Sequence, residues 1–126
     1  MPDMINIKAG TTQVQAELNH TRTARALVEI LPVKAKANTW GDEIYFDVPL
    51  SMEIENGKEL VEMGDVAYWP DGPSLCLFFG RTPASRGNEI RAASPVTVLG
   101  RIVSDPRVLK SVRSGAAITV EKVTAA

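Results

Sequence analysis

The chain has 126 residues, 44% of them apolar, with a net charge of −1, one cysteine and one histidine. That size suits a single domain, 1–126, able to bury a core without disulfides or metals. Dispersed charge excludes the clustered Lys and Arg that neutralise nucleic-acid phosphates, no apolar run reaches the about 20 residues that cross a bilayer, and one Cys with one His makes neither a disulfide nor a standard zinc set.

The predicted elements begin with two strands, residues 4–9 and 12–18, joined by Gly10-Thr11; Val14, Ala16 and Leu18 alternate with polar neighbours as in a half-buried strand. A helix over residues 20–31 follows. Ala24, Leu27, Val28 and Leu31 form one apolar stripe, Asn19 or Thr21 supplies the N-cap, and Pro32 stops it. Ile44, Phe46 and Val48 alternate with Glu43, Tyr45 and Asp47 in a strand, and Asn56-Gly57 suits a tight turn. Val66–Trp69 and Leu75–Phe79 form two strands around Pro70-Asp71-Gly72, with Gly72 expected in the left-handed position. Residues 82–94 hold few apolar residues, and Thr82-Pro83-Ala84-Ser85-Arg86-Gly87-Asn88 reads as an exposed loop. Val96–Val103 is a strand with a bulge expected at Gly100. A second helix starts at Asp105 as N-cap with Pro106 at its first position, turns Val108, Leu109 and Val112 inward and stops at Gly115; Ala117–Val123 is the last strand. The pattern predicts a mainly β fold, a closed antiparallel barrel of about eight strands capped by two helices. Met1-Pro2-Asp3-Met4 lacks the start of a secretory leader, so a cytoplasmic location is expected.

Most large aromatics cluster around the segment from Gly64 to Pro83, which ends on Arg81. Strand alternation sends Tyr45 and Phe46, and likewise Phe78 and Phe79, to opposite faces, one to the core and one outward. The candidate ligand-binding residues are Tyr45, Phe46, Trp69, Phe79, Arg81 and Glu89. Arg81 would clamp an anion or carboxylate, or else pair with Glu89. Glu43, Asp42 and Glu89 read as solvated acids, since no spacing brings two into one cleft. Cys76, within an apolar run, reads as a small core residue. No metal site and no cofactor is implied, and no glycine-rich loop has phosphate-cradling spacing.

The order of elements resembles that of cyclophilins. Gly64-Asp65-Val66 is similar to their Gly-Asp-Phe strand start, and Phe78-Phe79 to the pair that lines their proline pocket. The strand from Val96 to Val103, followed by the helix at Asp105, is similar to their closing strand and second helix. Gly41-Asp42-Glu43-Ile44-Tyr45-Phe46, the Gly64–Trp69 run, Phe79-Gly80-Arg81-Thr82-Pro83 and Ser94-Pro95-Val96 look like the small prokaryotic cyclophilin-like family, over nearly the whole chain. That resemblance implies a cyclophilin-like β-barrel. It does not carry the prolyl isomerase set: Ile44-Tyr45-Phe46 holds no arginine, and Ala84-Ser85-Arg86-Gly87-Asn88 holds neither the tryptophan nor the histidine of the isomerases. Three function classes follow. One is a binding module for a small anionic or carboxamide-like molecule or a peptide. Another is an enzyme, a weak peptidyl-prolyl isomerase or one related to amide hydrolysis. The third is an assembly protein whose outward rings form a homodimer.

Overall fold

In the computed structural model residues 3–123 are described; Met1, Pro2 and residues 124–126, the ends of the expected 1–126 domain and of the segment read for a leader, lie outside them. β1 (Met4–Ala9) and β2 (Thr12–Leu18) form the expected hairpin, in a register that pairs Ile7 with Val14. α1 (Arg22–Ile30) follows, with Thr21 as the N-cap: its Oγ1 accepts from the Ala24 amide at 3.1 Å. The Arg22 and Thr23 amides, also free in a first turn, donate to the Glu55 carboxylate. Leu31, before Pro32, closes the helix.

Two short strands, β3 (Val33–Lys36) and β4 (Asn38–Thr39), come next, then β5 (Glu43–Asp47), β6 (Lys58–Val61), β7 (Asp65–Trp69), β8 (Ser74–Phe78), β9 (Ile90–Ile102) and β10 (Ala117–Lys122). All pairings are antiparallel, in the order β3-β10-β1-β2-β9-β7-β8-β5-β4, with β6 added beside β9. Among the described residues the sheet therefore has ten strands rather than about eight, and no ladder of hydrogen bonds closes it. The reason lies at the seam. Its two ends, β3 and β4, are consecutive in the chain and separated only by Ala37. Ala37 is buried in the main core, and its backbone is engaged by the approach to β10, donating to the Ala116 carbonyl at 2.8 Å and accepting from the Gly115 amide at 2.7 Å.

The strand expected from Val96 begins earlier, at Ile90, so that residues 90–94 open the thirteen-residue strand β9. That half pairs with β6, a strand too short and charged to stand out in the sequence; the other half pairs with β7 and β2. The register of β7 on β9 slips between Val66 and Ala67, opposite Gly100 and Val98, which is the bulge expected at Gly100. The second helix is a 3-10 helix, Pro106–Ser111, capped by Asp105 as expected but ended by Val112. A three-residue repeat turns Leu109 and Val112 inward and leaves Val108 exposed, where a 3.6-residue repeat would have buried it. Gly72 does not take a left-handed conformation; the turn closes through its amide onto the Trp69 carbonyl at 3.2 Å, and Gly72–Pro73 is a cis peptide. Asn56 takes the left-handed conformation of its pair, with φ 50°.

Strand alternation sorts the side chains into two cores. Ile44, Leu77 and Val66, aligned across β5, β8 and β7, face the main core with Phe46, Tyr68 and Phe79. α1 adds Ala24 and Leu27 to it, and the 3-10 helix adds Leu109. The opposite face carries Tyr45, Cys76 and Ala67 in the next register row. It is covered by a smaller cluster with Val61 from β6 and Ile90, Ala92 and Val96 from β9. No helix among the described residues is long and apolar enough to cross a membrane.

Candidate functional site

The space between that outer face and the first half of β9 is a half-enclosed pocket of about 240 Å³. Its lining is Trp40, Glu43, Tyr45, Trp69, Cys76, Ala92, Ala93 and Val96. Backbone geometry places each wall. The β4–β5 connection is a tight turn in which the Trp40 amide donates to the Glu43 carbonyl at 2.9 Å. Gly41 makes that turn with φ 62°, and a Cβ there would stand 2.8 Å from Pro83 Cδ and 2.9 Å from the Arg81 carbonyl oxygen. The Gly41-Asp42 and Gly80–Pro83 segments thus lock together, with the Asp42 amide on the Arg81 carbonyl and the Phe79 amide on the Asp42 carbonyl. This lock fixes Trp40 and Glu43 at the head of β5.

Tyr45 and Trp69 meet edge to face, with ring centroids 6.4 Å apart and planes at 79°, the arrangement that ring quadrupoles prefer. The Trp69 indole N–H donates to Ser94 Oγ at 2.6 Å, and Ser94 in turn reaches Asp71 at 3.3 Å. Trp69 is therefore held by β9 and cannot turn freely. Small residues on the facing strand, Ala92 and Ala93, leave the room that makes a pocket.

Glu43 forms the floor. It is 5% exposed and pairs across the ladder with Phe78. Burial pushes its carboxyl up from 4.5 to about 7, and the adjacent Cys76 thiol works against that rise. Among the described residues its carboxylate forms no ion pair, and no basic side chain lines the pocket. Cys76 is buried and its thiol is pushed well up, first by burial and then by the Glu43 charge. A thiol held protonated is a packing group and not a nucleophile.

The six sequence candidates do not converge. Tyr45 and Trp69 share the pocket. Phe46 and Phe79 lie in the main core, 0% and 3% exposed, out of reach of any ligand. Arg81 is exposed, and its guanidinium donates to the Ser85 carbonyl at 3.2 Å. Glu89 pairs with Arg91 at 2.6 Å instead of with Arg81. Glu43, read as a solvated acid, is the buried one, and Trp40, Ala92 and Ala93 were not singled out. The available signal for Glu43 was its place two residues before Tyr45 on one strand face; that a second layer covers this face was not visible.

A family model described as cyclophilin-like matches residues 3–121. The solution structure of the hypothetical protein AF2241 from Archaeoglobus fulgidus is similar, with 43% identity, a TM-score of 0.83 and coverage of 97% of this chain and 95% of that one. Among curated proteins none matches.

Proposed function

We propose that this chain, which belongs to the cyclophilin-like family, is a binding module for a small molecule held in the outer-face pocket. Fold alone does not assign function, so the reading rests on one observation: three aromatic side chains converge with a buried carboxyl on a preformed apolar cavity. Such cavities, mostly apolar with a few placed polar groups, are the usual form of a ligand site. At about 240 Å³ the pocket falls below the about 300–1,000 Å³ of drug-sized sites, so the ligand is small or is one side chain of a peptide. An anion held by Arg81 is disfavoured, because that guanidinium is outside the pocket and the charge inside it is a carboxylate.

The chain's two tryptophans, Trp40 and Trp69, both line the cavity, so intrinsic fluorescence reports directly on occupancy. Titration with a panel of small amines, alcohols and carboxylates should give a saturable change from at least one class. Ala93→Phe, at an exposed position that lines the pocket, should fill it and abolish the change. No saturable response, or one unchanged in that variant, would remove the reading.

One observation favours a second reading, an enzyme of amide chemistry. A carboxyl that titrates at about 7 inside an apolar pocket is matched to proton transfer near neutrality. Catalysed isomerisation or hydrolysis of a short proline peptide, lost in Glu43→Gln, would establish it; no acceleration by the wild type would remove it.

A further inference from the structure

The lining of the pocket goes further than its shape. Trp40, Tyr45 and Trp69 surround a space whose single ionisable acid, Glu43, has no basic partner among the described residues. Aromatic faces attract cations through their quadrupole within about 6 Å, Trp most strongly, and the effect grows when the cation leaves water. The two rings whose geometry is fixed stand nearly perpendicular, 6.4 Å apart, and form a corner that presents different ring surfaces to one guest. The Ser94–Asp71 chain holds the indole in place, so little side-chain entropy is lost when a guest enters. A buried carboxylate without a counter-ion is costly, and a guest of opposite charge removes that cost.

We infer that this pocket takes an organic ammonium ion, a protonated or quaternary amine on a small apolar body, with the Trp40, Tyr45 and Trp69 rings around the charge and the Glu43 carboxylate beneath it. The inference rests on the small-molecule reading above and names the class of its ligand. An anion meets only repulsion from Glu43. A neutral guest of the same shape keeps the apolar contacts and forgoes both electrostatic contributions.

The inference carries a pH signature. The titratable groups facing Glu43 are Cys76 from β8 and Tyr45 from β5 itself; β7 contributes Trp69, and β9 contributes Ala92, Ala93 and Val96, none of them charged. Only the ionised carboxyl suits a cation, and burial sets its titration at about 7. The binding-competent fraction therefore rises about tenfold between about pH 6 and about pH 8, and apparent affinity rises with it.

The test is a fluorescence titration of the wild-type chain with choline, with dimethylbutanol as its uncharged carbon isostere, and with pivalate as an anion of similar bulk. The expected result is saturable binding of choline at least about tenfold tighter than of the isostere, tightening toward pH 8, with no response to pivalate. In Glu43→Gln, checked for folding by circular dichroism, choline should lose the part of its advantage that the carboxylate supplies, together with the tightening toward pH 8, and keep only what the rings give. If the isostere or pivalate binds as well as choline, the cation inference fails while the small-molecule site stands. If none of the three gives a saturable response, the site reading falls and the inference with it. The isostere comparison is made on the wild type, so an unfolded variant would not protect the inference.

Discussion

Glu43 is the residue on which energetics and function meet. The unfolded chain ionises this carboxyl near the ordinary 4.5, and the folded chain at about 7. Between those values the folded state holds the extra proton, so stability falls as pH rises through the window, and the full penalty stands above about 7. A shift of this size is worth about 3 kcal/mol. Glu43→Gln, which cannot ionise, should thus gain stability relative to wild type by about 3 kcal/mol on going from about pH 4 to about pH 8, as read by urea unfolding at both. A difference that does not change with pH would show that the carboxyl is not buried in its ionised form. At this scale the sequence was half legible. Alternation separated Tyr45 from Phe46 and Phe78 from Phe79 by face, because the two-residue period of a strand is a local property, but Phe78 is not the outward ring expected: it is 0% exposed, buried in the outer cluster, while Phe79 is buried in the main core. Which face was covered twice was not local. Glu43, Tyr45 and Asp47 form a row that water would ordinarily meet; Asp47 stays exposed, and for Glu43 and Tyr45 only the distant β6–β9 layer decides otherwise.

At the scale of elements, most strands and both helical starts were legible from turn residues and caps, since Thr21, Asp105-Pro106 and Gly10 act on their own neighbours. The short strands β3 and β4, β6 and the first half of β9 were not. Lys58-Glu59-Leu60-Val61 is short and mostly exposed, and Ser94-Pro95 interrupts the β9 pattern; each becomes a strand only because the other pairs with it. Gly100 shows how tightly the long strand is then held. It pairs with Leu18 on β2 and with Val66 on β7, at the register slip. A Cβ at this position would run into the Glu17 carbonyl oxygen and stand 2.9 Å from Leu18 Cα, both backbone atoms of a neighbouring strand that cannot yield. Gly100→Ala should therefore cost about 3 kcal/mol in chemical denaturation, near the upper end of overpacking effects. A loss below about 1 kcal/mol would mean that β2 and β9 can separate there without disturbing the sheet.

The whole molecule is a curled sheet with a core on each face, and the two cores differ in strength. The inner one gathers residues from most of the strands, from α1 and from the 3-10 helix, many of them fully buried. The outer one is a small cluster that includes two alanines and a cysteine, and its β6 and β9 members Val61 and Ile90 retain 8% exposure each. Among the described residues β6 bonds only to β9, and its far edge has no partner strand. The loop from Gly80 to Glu89 is fastened to this layer by Thr82 and Ser85, whose hydroxyls bond the Arg91 carbonyl and amide. Opening the β6–β9 layer therefore exposes little apolar surface, whereas opening β1, β2 or β10 breaks the main core. Local opening free energies follow buried apolar contact. Native-state hydrogen exchange should find the amides of residues 58–61, 90–94 and 96 opening with constants at least about tenfold larger than those of residues 5–9, 13–18 and 118–121, at free energies below that of global unfolding. Since Ala92, Ala93 and Val96 form one wall of the pocket, that same opening dismantles the site while the inner core persists. Equal opening energies in the two groups would instead make the molecule one cooperative unit, with the pocket as permanent as the curled sheet beneath it.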